Sequence, residues 1–509
     1  MLEPCKQLIR VIKMTSRSGF SAKLRDIFWP VENSELKKFL PMSLMLMLII
    51  FIYTLLRATK DTAIVPVLGA EMLSTLKLWG VLPSAIIFMV IYTKLTNVLD
   101  TSKVFYVMLS FFIGFFTLYG FVLYPLQSQL HLDLSGLKES MPFLRLILGM
   151  FENWTLTLLY IMSELWGSVM LSLMFWQFAN QITPVMQAKR FYSFFGLLGQ
   201  IGMWAASEIA QYIAHVNKSQ VVGGVDLWGQ TLIGITVCVM VTGALIGATY
   251  WWINQYVLTD INHYNPELIL KDKDKKKKKL KLSVSESFKY IFSSKYLGMI
   301  AALVICYGIT INLVEAVWKG QMRLQFPDRV DYLEFMGRFQ SWTAVATMIA
   351  MIVGVNLIRR VSWFAGAIIT PLMIIITGAL FFAFIVFQVE LEPTLAMIGT
   401  TALMMSVVLG AIQNILSKSI KYSAFDATKE MAYIPLDDDL KVKGKAAVDV
   451  VGARLGKSGG AAIQQILFAI TGLTLQGLTN HIFIIFVIAM GLWFYSVGAL
   501  SKEFEKKAE

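Results

Sequence analysis

Ser43-Leu-Met-Leu-Met-Leu-Ile-Ile-Phe-Ile-Tyr-Thr-Leu-Leu56 carries no charge, and Arg57-Ala-Thr-Lys60 follows it directly. With its flanks the apolar run fills 40–57, close to the roughly 20 residues that an α-helix needs to cross a bilayer. About twelve such runs recur by that criterion, at 40–57, 76–94, 104–124, 143–178, 191–214, 227–252, 297–318, 338–357, 362–388, 394–418, 446–475 and 479–500. The fourth is long enough to tilt or bend. Of 509 residues, 56% are hydrophobic and only 15% charged, against about 25% charged in a soluble protein, and mean hydropathy is +0.63. The fold class expected is an all-α polytopic membrane protein with about 12 transmembrane helices.

The net charge of +12 is distributed by side and does not imply nucleic acid. With twelve spans and the N-terminus inside, Lys37–Lys38, Lys94, Lys103, Lys189–Arg190, Lys271–Lys281, Arg359–Arg360, Lys441–Lys445 and Lys506–Lys507 share one side. The opposite loops, near 125–141, 215–226 and 389–393, are poor in Lys and Arg. This positive-inside pattern places both termini in the cytoplasm; a basic loop at Lys319–Arg338 is a partial exception. Three scattered cysteines and four histidines offer no disulfide framework and no metal or haem spacing, so no metal and no cofactor is expected. The first 40 residues lack a signal-peptide core. A bacterial inner membrane is the expected address.

The strongly hydrophilic run Lys271–Lys281 falls near the middle of the chain, with about six runs on either side. The chain is expected to divide into a cytoplasmic N-terminal segment at 1–39, a six-helix bundle at 40–252, a basic cytoplasmic linker at 253–296, a second bundle at 297–500 and a cytoplasmic tail at 501–509. Two local matches support a repeat. Leu198-Gly-Gln-Ile-Gly202 resembles Leu455-Gly-Lys-Ser-Gly459, and Leu55-Leu-Arg-Ala58 resembles Leu313-Val-Glu-Ala316. Both fall between spans that a repeat of six would make equivalent, so a major-facilitator-like 6+6 arrangement is expected. The first span's Arg57 and Lys60 then face Glu315 and Lys319 of the seventh, and Gln200 corresponds to Lys457. In such carriers substrate binds near the midplane between the halves.

An ionisable side chain at bilayer depth costs about 2.5–3.5 kcal/mol on insertion scales, so it normally faces a pathway or a partner charge. Lys60, Glu164, Glu315 and Lys457 all lie in or beside apolar runs. Arg57 and Lys60 share a helix face and suit a phosphate, Arg as a fork and Lys as a point charge. Their plainer reading is a snorkelling helix end, with Asp61 pairing Arg57 four residues on. Glu164 has no cation within a turn and must pair across helices, protonate or face water. Glu315 and Lys319 either pair along one helix or form a gate at the cavity mouth. Gly456-Lys-Ser-Gly-Gly460 is no phosphate-binding loop, because Val451 stands where the first glycine belongs. Gly452, Gly456, Gly459 and Gly460 are instead read as a close helix-packing face from which Lys457 projects, with Arg454 nearby. No nucleophile–base pair stands out and no enzyme is expected, nor a ring-filter channel.

Longer strings carry a resemblance. Phe28-Trp-Pro-Val31, Glu35-Leu-Lys-Lys-Phe-Leu-Pro41, Thr59-Lys-Asp61, Ser163-Glu-Leu-Trp-Gly-Ser-Val-Met-Leu-Ser-Leu-Met-Phe-Trp-Gln-Phe-Ala-Asn180, Asn312-Leu-Val-Glu315, Lys421-Tyr-Ser-Ala-Phe-Asp-Ala-Thr-Lys-Glu-Met-Ala-Tyr-Ile-Pro-Leu-Asp437 and Arg454-Leu-Gly-Lys-Ser-Gly-Gly460 resemble the ATP/ADP translocases of intracellular bacteria and plastids, over essentially the whole chain. The resemblance implies alternating-access exchange of ATP for ADP in a major-facilitator-like fold. Import of ATP is expected, with phosphate a further companion of ADP, by a single copy of the chain in the lipid bilayer. It marks Lys60, Glu164, Glu315 and Lys457 as the charges that matter for transport. Substrate contact is expected from Lys60, Arg57, Lys457 and Gln200, and coupling or gating from Glu164, Glu315 and Lys319. The chain departs from the family pattern at Ala58, where a carboxylate is common, and at Gln200, where many exchangers carry Asn. The alternative expectation is transport of GTP, UTP, CTP or NAD, with or without protons.

Overall fold

A computed structural model describes residues 31–219, 226–260, 294–358, 361–437, 444–445, 447–448 and 452–508. The Lys271–Lys281 run, Phe28–Pro30 and most of the expected linker and N-terminal segment lie outside the described residues. The long helices in chain order are α1 (Leu36–Leu68), α2 (Met72–Val98), α3 (Thr101–Leu123), α4 (Trp154–Ile182), α5 (Val185–Ser219), α6 (Leu227–Tyr256), α7 (Lys295–Gln325), α8 (Arg329–Ile358), α9 (Trp363–Val386), α10 (Ala402–Ala432), α11 (Ala453–Thr471) and α12 (Thr479–Ala508). The described residues form no strand.

The helices begin and end where local chemistry directs. Asp226, Ser294, Ser362 and Thr401 accept a backbone N–H three residues on and start α6, α7, α9 and α10, the bond an N-cap side chain supplies. Gly69 (φ 95°) and Gly472 (φ 66°) end α1 and α11 in backbone conformations open to glycine.

Several expected limits move. The first helix does not stop near residue 57. It continues to Leu68, so Arg57 and Lys60 lie inside α1, not at its end. The reason is that their charges are met by partners and the next residues, Thr62–Leu68, are again mostly apolar. The run at 143–178 breaks at Asn153 into Arg145–Glu152 and α4. Lys319 is not in a basic loop but buried in α7. Residues of the expected C-terminal tail continue α12.

Among the described residues, nine helices are long and apolar enough to cross a membrane. The expected spans outside that group are α5, α8 and α11, which carry residues such as Glu208, Gln211, Glu334, Ser341, Gln464 and Gln465. These polar groups point at neighbouring helices. Glu208 Oε1 accepts from Ser341 Oγ at 2.7 Å, joining α5 to α8. Gln465 Nε2 donates to Ser74 Oγ at 2.7 Å and Thr75 Oγ1 at 3.0 Å, joining α11 to α2.

Glycines set two equivalent close contacts. A side chain at Gly202 would run into the Met47 carbonyl, and one at Gly199 would meet Ile50 at 2.5 Å. In the second half, one at Gly456 would meet Gly308 Cα at 3.0 Å, and one at Gly460 would meet Asn312 Cβ at 2.7 Å. α5 thus packs on α1 as α11 packs on α7, each through the glycine-bearing segment that the sequence repeats. Buried indoles tie further pairs. Trp166 Nε1 donates to the Ile49 carbonyl at 3.2 Å, from α4 to α1, and Trp318 Nε1 to the Val407 carbonyl at 2.9 Å, from α7 to α10.

Candidate functional site

Five cations and three carboxylates converge where α1, α2, α4, α7 and α10 meet. Lys60 Nζ lies 2.8 Å from Asp61 Oδ1 and 3.1 Å from Glu164 Oε1. Lys319 Nζ lies 2.8 Å from Asp61 Oδ2 and 3.1 Å from Glu315 Oε1. Arg57 Nη2 lies 3.5 Å from Glu315 Oε1. Asp61 therefore bridges two lysines, and Glu315 joins a lysine to an arginine. The Lys319–Asp61 contact is an ion pair without a well-directed hydrogen bond, since Asp61 Oδ2 has no hydrogen-bond partner. Lys60 also lies 4.2 Å from the centre of the Tyr160 ring, a cation–π contact.

The remaining two cations are Lys77 on α2 and Lys418 on α10. Lys77 Nζ donates to the Asn312 amide oxygen at 3.2 Å. Lys418 Nζ has no hydrogen-bond partner and stands 4.9 Å from the Phe339 ring centre. Both act electrostatically on Glu315. Wider π-type turns at Leu76–Val81, Gly167–Phe175 and Lys421–Phe425 contain Lys77 or begin three residues after Glu164 and Lys418. Such turns recur at functional sites.

Exposure grades the cluster. Lys60, Asp61 and Lys319 are buried, whereas Glu164 keeps 34% of its side chain exposed and Arg57 26%. A small cavity beside them is lined by Ser74, Lys77, Asn312, Glu315, Lys319 and Gln464, among others, so both halves contribute to its wall.

Two pairs cross between the halves at matched positions. Arg57 and Glu315 are 258 residues apart, and Asp61 meets Lys319 at the same spacing. This corrects the expected facing: Lys319 meets Asp61, and Lys60 binds Asp61 and Glu164. Arg57 does not pair with Asp61 along α1 but with Glu315 across the halves. Glu315 and Lys319 do pair along α7 while each also reaches across.

Further cross-half contacts lie beyond this level, toward the ends of α1, α5 and α7. Lys218 on α5 pairs with Asp331 and, at 2.9 Å, with Glu334 on α8, and Gln211 Nε2 donates to Ser341 Oγ at 3.3 Å. Lys218–Glu334, Gln211–Ser341 and Glu208–Ser341 thus join the halves between Arg57–Glu315 and this far face. Near the start of α1, the Arg190 Nη2–Glu35 Oε1 pair at 2.6 Å joins two helices of the first half.

Of the other expected residues, Gln200 on α5 is part-buried and makes no side-chain hydrogen bond among the described residues, so nothing brings it into the cluster. The Lys457 side chain lies outside the described residues; its backbone is in α11, between Gly456 and Gly460, which touch α7. Ala58 is fully buried. The sequence reading missed Asp61 as a bridge, met Asn312 only within a family string, and missed Lys77 and Lys418 altogether. The available signal was a lysine inside or at the edge of an apolar run, the same signal that singled out Lys60.

Comparison with known proteins agrees with this architecture. The family described as TLC ATP/ADP transporter matches residues 14–504. The chain is 48% identical over 488 residues to ADP,ATP carrier protein 1 of Chlamydia pneumoniae, covering 95% of this chain and 94% of the relative. It is 45% identical over 499 residues to ADP,ATP carrier protein 1 of Rickettsia typhi (strain ATCC VR-144 / Wilmington), covering 96% and 98%. Among solved structures, a bacterial homologue of the iron transporter ferroportin in an inward-facing state shares the fold, with TM-score 0.51 and 14% identity over 93% of this chain and 100% of the other.

Proposed function

This chain belongs to the TLC ATP/ADP transporter family, and from that premise we propose that it imports ATP in exchange for ADP by alternating access between its two halves. The relatives' names favour this cargo over the other nucleotides. The observation that carries the proposal is the charge cluster at the junction of the halves, where five cations face three carboxylates. A site with surplus positive charge, walled by both halves, suits an anion whose binding and release must be coupled to their movement.

In this reading Lys60, Arg57, Lys457 and Gln200 contact the nucleotide, the cations meeting the phosphates and the amide the base. Glu164, Glu315 and Lys319 form the gate. Carboxylates hold the cations in the empty carrier, and phosphate oxygens compete for them when nucleotide enters. Each substituted contact exchanges one charge-assisted bond for another, so the passage needs no large barrier. The far-face pairs then form the closed gate, and the carrier in this conformation is sealed on that side.

Twelve spans would put both termini on one side, in the cytoplasm of a bacterium, and make the far face external. The halves at 40–252 and 297–500 act as the two moving bodies, and one copy of the chain suffices. Phosphate accompanying ADP as the monoanion H2PO4− would balance the charge. An unaccompanied ATP⁴⁻/ADP³⁻ swap moves one net charge, worth about 2.3 kcal/mol per 100 mV, and would respond steeply to membrane potential.

The test is uptake of labelled ATP into vesicles holding the purified protein, with and without internal ADP. The expected result is uptake that requires internal ADP and is lost in Lys60→Ala. Uptake indifferent to internal ADP, or retained in that variant, refutes the exchange mechanism or the role of Lys60 respectively.

A further inference from the structure

Resting on the exchanger reading, we infer that Lys77 and Lys418 are the cations that first receive the polyphosphate chain, before it competes for Lys60 and Arg57, one supplied by each half of the protein. The assignment starts from which positive charges already have a counter-ion. Lys60 is held by Asp61 and Glu164, Lys319 by Asp61 and Glu315, and Arg57 by Glu315. Every carboxylate of the cluster is engaged in these contacts. Lys77 has only a neutral amide oxygen, contributed by Asn312 of the opposite half. Lys418 has no acceptor for its ammonium, whose contact is the face of Phe339.

A buried ammonium without acceptors is unfavourable, and removing such a charge normally relieves the protein. Its presence asks for a ligand that supplies the missing charge. Glu315 feels Lys319, Lys418, Arg57 and Lys77 together, yet its ion pairs are with Lys319 and Arg57. One carboxylate is thus surrounded by more cations than it can neutralise. The cavity that adjoins it is lined by Lys77, Asn312 and Ser74, which offer donors to phosphate oxygens once the Lys77–Asn312 bond opens. Lys418 lies outside this lining and shares with Lys77 the neighbourhood of Glu315, so the anion that meets both is an extended one with at least two negative charges, and a nucleoside does not qualify. Because Lys77 belongs to α2 and Lys418 to α10, the same phosphate chain ties the two halves together. Lys60 and Lys319, held by carboxylates in the empty carrier, frame the site until phosphate oxygens compete for Lys60, and Lys77 and Lys418 are the contacts that the incoming anion meets first.

The experiment uses the full chain in vesicles and in detergent. In exchange assays, Lys77→Gln and Lys418→Gln are each expected to raise the half-saturating concentrations of ATP and ADP about tenfold or more, the loss of one charge-assisted contact. Lys77→Arg and Lys418→Arg keep the charge and recover most of the affinity. Lys418→Met supplies a readout that a structural lysine would fail. Without nucleotide its melting temperature is expected to equal or exceed that of the parent, because no partner is lost, while the rise produced by added ATP shrinks. A lower melting temperature with an undiminished ATP-induced rise overturns the assignment, as do unchanged half-saturating concentrations in both Gln variants beside a parent that exchanges. A parent protein that neither binds nor exchanges nucleotide overturns the carrier reading itself.

Discussion

Asp61→Asn is the most informative single change in the far-face seam. Asp61 lies between Lys60 and Lys319, and the second contact joins α1 to α7 at 2.8 Å. Near that separation two unit charges attract by about 6 kcal/mol at an effective dielectric of 20. Lys319 retains Glu315 at 3.1 Å and Lys60 retains Glu164 at 3.1 Å, so part of the loss is recovered. The net weakening of the seam is expected at about 2–3 kcal/mol, which is roughly a 30- to 150-fold shift toward conformations with the far face open. A thiol reporter reads this directly. With Cys5, Cys238 and Cys306 replaced by Ser, a single cysteine at Gln211→Cys sits on α5 beside Ser341 and Gly337 of α8. Its rate of modification by a charged aqueous reagent measures how often the seam opens. Asp61→Asn and Lys319→Gln should each speed modification by that factor, and the double variant should go no faster than the quicker single. Rates within twofold of the parent, or fully multiplicative effects, would show that this pair does not hold the halves together.

Two further outcomes follow from the same interfaces. Gln211→Cys with Gly337→Cys should form a disulfide between α5 and α8, because a side chain at Gly337 would start 2.6 Å from Gln211 Cγ; oxidation should arrest ATP exchange and a reductant should restore it, and undiminished exchange by the cross-linked protein would disprove that the seam must part. Gly202→Val and Gly456→Val should each lower thermal stability by at least the 1–3 kcal/mol of an overpacked contact, since both face backbone atoms of the neighbouring helix, whereas Gly491→Ala, with nothing within 4 Å, should leave the melting temperature unchanged.

The sequence disclosed the helices more readily than their ends. The run Ser43–Leu56 announced α1, but its continuation to Leu68 depended on Asp61 and Lys60 finding partners on α4 and α7. A charge ends an apolar run only when nothing nearby neutralises it, and that condition is tertiary. The same limit hid Lys77 and Lys418. A lysine at the edge of an apolar run reads as one reaching for the membrane surface, and only the positions of Asp61, Glu164 and Glu315 reveal that these two have no carboxylate. Lys60, Arg57, Glu164, Glu315 and Lys319 were legible because an isolated charge in a span is costly enough to need a reason. Their pairing was not, because residues four apart on one helix and residues on facing helices satisfy the same electrostatics.

What decides between those pairings is the repeat. Leu55–Ala58 matches Leu313–Ala316, and the register carries Arg57 onto Glu315 and Asp61 onto Lys319. Helices related by a twofold-like axis bring equivalent positions face to face, and identical charges there would repel. The chain instead reverses both signs, Arg opposite Glu and Asp opposite Lys, so each equivalent pair attracts. That reversal makes the seam self-complementary only when the halves meet in register, which gives the closed far face a defined geometry. It also consumes Asp61 and Glu315 on cations of the frame, as Lys60 consumes Glu164, and so leaves the surplus positive charge on the two lysines outside it. The gate and the anion site are on this argument one electrostatic arrangement: sign reversal at the seam is what leaves Lys77 and Lys418 available for the cargo.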